Sequence, residues 1–121
     1  VTADATFRGG CISPGMKTRF RALHDYTAKL PLCAATESEE LAGLTTRQAI
    51  ELGVMNGIAF EIEGYAARMR SQIDDLCVIF TGGDANFFVK RIKNTIFANC
   101  NLVFCGLNRI LEYNASEEHL N

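Results

Sequence analysis

The chain has 121 residues, 48% hydrophobic and 21% charged, which suits a single globular domain with a real core and excludes a disordered chain. Twelve Lys and Arg against fourteen Asp and Glu give a net charge of −2, with no basic run. A nucleic-acid backbone would therefore meet no electrostatic footprint, and no apolar run approaches the roughly 20 residues of a membrane helix.

Val1-Thr2-Ala3 reads as a strand already under way, without an initiator Met and without the basic start and apolar core of a secretory leader. It is read as the start of a piece of a longer protein in preference to a mature processed chain. Val1 to Arg8 is expected to form a hairpin turning around Ala3-Asp4-Ala5.

Gly9 to Gly15, read as GGCISPG, joins that hairpin to the first helix. Its glycines let backbone come close to a neighbour or ligand, and Pro14 suits the first helical position, where its missing N–H costs nothing. The helix is expected from about Pro14 to Leu30, with Ser13 as N-cap and Met16, Phe20, Leu23 and Leu30 on one side. A glycine turn feeding a helix is a natural seat for an anion or polar ligand, although many such turns are simply tight connections. Pro31 to Leu44 lacks a period, and Glu37-Ser38-Glu39-Glu40 reads as a solvated loop.

The longest helix is expected from Thr46 to Asp74, with Thr45 as N-cap and Gln48 completing a capping box. Ile50, Met55, Ile58, Ile62, Tyr65, Met69 and Ile73 form its apolar stripe. Gly53 and Gly57 lie one turn apart, and each costs about 1 kcal/mol of helix propensity. They imply close approach, either at a helix crossing within the core or at a contact between two copies.

Leu76 to Phe80 reads as a strand buried on both faces. Thr81-Gly82-Gly83-Asp84-Ala85 then turns into a helix reaching about Ile92. In open α/β sheets ligands sit beyond such strand ends, yet neither the GxxxxGK[ST] nor the GxGxxG spacing is present. Asn101 to Phe104 is expected to be a second buried strand, Gly106 to open a last helix with Leu107, Ile110 and Leu111 inward, and Ser116 to Asn121 to fray.

Five cysteines, Cys11, Cys33, Cys77, Cys100 and Cys105, are an odd count without CxxC spacing. They read as reduced thiols of a cytoplasmic protein, Cys77 and Cys105 in apolar surroundings, with no zinc site. His24 and His119 have no nucleophile beside them, and Ser13 has no His partner in sequence, so a hydrolase reading finds no support.

Taken together, the blocks resemble the second half of the type III pantothenate kinases. GGCISPG at residues 9–15 is similar to the family's GGxIxPG loop, and Ala22-Leu23 with Thr27-Ala28-Lys29-Leu30-Pro31 to its AL…TAxLP helix end. Thr46 with Ala49, Ile50, Gly53 and Gly57 resembles the TxxAI helix start and its two glycines. Thr81 to Ala85 resembles the TGGdA turn, and Leu102 to Leu107 a strand entering a Gly-Leu helix.

The resemblance implies an α/β fold of the actin-like ATPase (ribonuclease H-like) type, the superfamily of acetate and sugar kinases, Hsp70 and actin. Residues 1–121 would be the C-terminal domain of a two-domain kinase, a small mixed sheet with packed helices and one long central helix. It implies ATP-dependent phosphorylation of pantothenate towards coenzyme A by a cytoplasmic homodimer that uses Mg2+ and a monovalent cation, K+ or NH4+. Carried over by position, Thr46 would bind pantothenate, Gly82 and Gly83 the adenosine end of the nucleotide, and Gly9 and Gly10 would border the cleft. The family's phosphate loop, catalytic aspartate, substrate arginine and cation-binding strand would precede Val1. No catalytic or metal residue is therefore assigned here, and Asp4, Asp25 and Asp84 are not promoted into those roles. The expectation is a chain inactive by itself. The rival readings are an isolated dimerisation module, or an accessory factor for transcription without kinase activity.

Overall fold

The computed structural model describes residues 1–2, 4–92, 96–99 and 101–118. Expectations for Ala3, Cys100, His119 and the last two residues lie outside that range. In order come α1 (Met16–Asp25), α2 (Thr46–Arg70), β1 (Val78–Phe80), α3 (Ala85–Arg91), β2 (Ile96–Ala98) and α4 (Leu102–Glu118). The fold is mixed α/β, rich in helix with little strand. It divides into two compact units, Val1–Met55 and Asn56–Asn121.

In the first unit the opening residues make a turn without a regular strand: Thr2 N–H donates to Thr6 O at 3.0 Å and Ala5 N–H to Thr2 O at 2.9 Å. Ala5 sits at φ 62°, a conformation uncommon for a residue with a Cβ. α1 is shorter than its periodicity suggests. Gly15 is its N-cap, without a side-chain cap. Ser13 is not available for that role, because its Oγ accepts from Arg19 Nη2 at 2.9 Å, while Arg19 Nε donates to Pro14 O at 2.7 Å. Met16 and Phe20 are the buried side chains of α1, and Leu23 is half-buried.

α2 has 25 residues and is the longest element. Its capping box forms: Gln48 N–H donates to Thr45 Oγ1 at 3.2 Å, and Gln48 Oε1 accepts from the N–H groups of Leu44 and Thr45 at 3.0 and 3.3 Å. The orphan donors of the first turn are thus satisfied by side chains. At the far end the helix stops at Arg70, and Ser71 Oγ donates to Arg68 O at 2.7 Å. Ile50, Met55 and Ile58 are buried together with Leu52, Val54, Ala59 and Ala66. Farther along, Tyr65, Met69 and Ile73 are 47–49% exposed, so the expected stripe is a core face only in its first half.

The second unit contains the sheet. β1 and β2 pair in parallel, Val78 opposite Ile96 and Phe80 opposite Ala98, with α3 connecting them and packing on β2. β1 is not buried on both faces: Val78 and Phe80 are half-buried and Ile79 is 49% exposed, as befits a two-stranded sheet. The second strand also lies elsewhere than expected. Residues 102–104 belong to α4, and β2 precedes them. Asn99 sets the change, its backbone N–H donating to Phe80 O at 2.8 Å, its O accepting from Leu102 N–H at 3.2 Å, and its Oδ1 from Asn101 N–H at 3.1 Å. Along α4, Leu107, Ile110 and Leu111 are 52–67% exposed, not turned inward. Ser116 is helical and not frayed, its Oγ donating to Glu112 O at 2.5 Å.

Candidate functional site

Thr46 is the first residue of α2, directly after the cap. It lies on a groove of about 600 Å³ between α1 and the start of α2, with Ala22, Leu23, Leu30, Ile50 and Gly53 among the walls and Arg19 at one side. The walls are almost wholly apolar; Thr46 and Arg19 are the polar residues among those lining it, and the Arg19 guanidinium already donates to Pro14 O and Ser13 Oγ. Because Thr45 and Gln48 make the cap, the Thr46 hydroxyl is not needed to start the helix. Such a groove fits a small ligand with an apolar middle and few polar contacts.

Gly53 is exposed on the groove, and a Cβ there would meet nothing within 4 Å. A close helix crossing inside the described residues is therefore not what Gly53 serves. His24 is exposed, and its Nδ1 donates to the Leu30 carbonyl at 2.7 Å, tying the end of α1 to the groove's edge.

Gly9 and Gly10 lie in an exposed loop, Gly9 at φ +93°. Neither is among the groove's walls. Through Ser13 and Pro14 the same loop is fastened to Arg19, which does reach the groove. The sequence gives no sign of Arg19 at the groove, since a lone Arg on an amphipathic helix carries no such signal.

Gly82 and Gly83 form the β1–α3 turn in the second unit, both exposed, with Gly82 at φ +93°. Ala85 N–H donates to Gly82 O at 3.3 Å, and Asp84, the N-cap of α3, makes no side-chain cap. A second group missed in the sequence is Asn56, whose buried Oδ1 accepts from Arg91 Nη1 at 2.9 Å across 35 residues of chain.

Cys33 is buried, while Cys11, Cys77 and Cys105 are exposed, so Cys77 and Cys105 are not core thiols. Among the described residues no three His, Cys, Asp or Glu side chains converge as metal ligands. No helix among them is long and apolar enough to cross a membrane.

These features define a helix-rich α/β chain with an apolar groove and a glycine turn between strand and helix. The chain belongs to the type III pantothenate kinase family, whose family model matches residues 1–68. It is 48% identical over 113 residues to the type III pantothenate kinase of Flavobacterium psychrophilum, covering 93% of this chain and 47% of the relative. It is 46% identical over 114 residues to that of Cytophaga hutchinsonii, covering 94% and 48%. With the Flavobacterium johnsoniae kinase it shares 43% over 113 residues, 93% and 46% of the two chains. The chain thus spans about half the length of the curated relatives it matches.

Proposed function

We propose that residues 1–121 are the carboxyl-terminal half of a two-domain, actin-like kinase that transfers a phosphoryl group from ATP to pantothenate. The observation that supports this most is Thr46, the position matching the family's substrate threonine, lining an apolar groove. Pantothenate pairs a branched apolar middle with hydroxyl, amide and carboxylate groups, which suits apolar walls with Thr46 and Arg19 among them. Phosphoryl transfer depends on positioning and charge stabilisation. On this reading the half described here supplies substrate and nucleotide walls: Thr46 for pantothenate, Gly82 and Gly83 for the adenosine end of ATP, and Gly9 and Gly10 bordering the cleft. The catalytic carboxylate, Mg2+ and the monovalent cation belong to the other half.

The enzyme is proposed to work in the cytoplasm as a homodimer. Half-exposed Tyr65 and Met69, and Phe60 at 56% exposure, give α2 apolar surface for a second copy. The test is pantothenate phosphorylation by the full-length enzyme. Thr46→Ala is expected to lower kcat/KM for pantothenate about tenfold, the worth of one well-placed hydrogen bond. An unchanged kcat/KM overturns the assignment. The 121-residue chain alone is expected to be inactive, and turnover by it would refute the division of labour.

A further inference from the structure

We infer that the hydrogen bond from Arg91 to Asn56 sets the position of the Gly82–Gly83 turn, making Arg91 a positioning residue for nucleotide use. The inference rests on the reading of that turn as part of the nucleotide site. Asn56 stands between Met55 and Ile58 on a buried stretch of α2 and is itself 9% exposed. An amide there is tolerated only when paired, and Arg91 Nη1 meets its Oδ1 at 2.9 Å.

Arg91 is the last residue of α3, a helix of only seven residues, about 10 Å long. Fixing one end of so short a rod fixes the other. Ala85, Phe88 and Ile92 are buried beside it, 2–6% exposed, but apolar burial is non-directional and does not choose a register. The hydrogen bond does. Among the described residues the turn in front of α3 is held only by backbone bonds, Ala85 N–H to Gly82 O at 3.3 Å and Phe87 N–H to Asp84 O at 3.1 Å, and Asp84 gives no side-chain cap. Its place is therefore inherited from β1 on one side and from the anchored helix on the other.

The test uses the full-length enzyme and measures KM for ATP, KM for pantothenate, kcat and Tm. Arg91→Met is expected to raise KM for ATP about tenfold, with KM for pantothenate and kcat within about twofold, since one charge-assisted hydrogen bond is lost. Asn56→Leu should do the same, and the double variant should be no worse than either alone. Asn56→Asp keeps the acceptor and should preserve KM for ATP. An unchanged KM for ATP in Arg91→Met overturns the inference, as does an equal rise for both substrates that follows a fall in Tm. Gly83→Val separates the two ideas, because a Cβ at Gly83 meets nothing within 4 Å and the variant should fold. If Gly83→Val raises KM for ATP and Arg91→Met does not, the anchor fails alone. If Gly83→Val leaves KM for ATP unchanged, the nucleotide turn fails and the anchor with it.

Discussion

Gly43 lies so close to Ala49 that a Cβ on Gly43 would stand 2.5 Å from the Ala49 backbone nitrogen. The same Cβ would meet the Gln48 carbonyl carbon and Cβ at 2.5 Å. The loop before α2 thus folds back onto the helix's own first turn, at Gln48 and Ala49. Backbone atoms of a capped helix cannot step aside as a side-chain tip can. Gly43→Ala is expected to destabilise the protein by about 1–3 kcal/mol, the range for overpacking. Thermal unfolding checks it, and an unchanged Tm would show that the loop does not rest on α2 as described.

The threonines at 45 and 46 are expected to separate by kind of effect. Thr45 Oγ1 accepts from Gln48 N–H at 3.2 Å and satisfies a donor the helix leaves open. Thr45→Ala should therefore cost about 1 kcal/mol of stability and leave KM for pantothenate nearly unchanged. Thr46→Ala should do the reverse, altering pantothenate use with little change in Tm. If both variants mainly lower Tm, Thr46 is part of the helix start and not of the site.

How far the sequence could be read follows from which signals were local. Thr45 and Gln48 announce their cap because both partners sit within one turn, and α2 forms from Thr46 as its pattern indicates. α1 loses its expected cap because Arg19 takes the Ser13 hydroxyl, a contact six residues long that spacing does not reveal. The second strand is misplaced for a different reason. Asn101 to Phe104 is a short apolar run, and such runs fit strand and buried helix alike; here Asn99 accepts from the N–H groups of Asn101 and Leu102 at the start of α4. The role proposed for Thr46 comes only from its family block, and the Asn56–Arg91 bond leaves no sign in the sequence, since 35 residues separate the partners.

Asp4 gives a prediction in pH. Its carboxylate accepts from the Thr2 hydroxyl, then from Thr6, whose N–H lies 3.3 Å from Oδ1, and these bonds hold its pKa below the ordinary carboxylate value. Because the folded value is depressed, what the turn gains is present above the unfolded pKa and is lost as pH falls through the folded one. Amide shifts of Thr2 and Thr6 followed by NMR should therefore move with a midpoint below that of a free aspartate, and Asp4→Asn should abolish the movement. A midpoint at the ordinary value would mean that the Thr2–Asp4–Thr6 turn does not persist in solution.

Gly53 offers the sharpest contrast between helix stability and function. It lies inside α2, where glycine is unfavourable by about 1 kcal/mol against alanine, and a Cβ there meets nothing within 4 Å. Nothing in the first unit therefore requires glycine at this position. Gly53→Ala is expected to raise the unfolding free energy by up to about 1 kcal/mol. Gly53→Leu, which pushes a side chain into the groove beside Thr46, is expected to fold and to raise KM for pantothenate about tenfold or more, since ligand and side chain would compete for one volume. Both variants are read against sedimentation of the full-length enzyme. A dimer that dissociates in Gly53→Leu while KM for pantothenate in the remaining dimer stays unchanged would assign the glycine to the contact between copies and remove it from the proposed substrate groove.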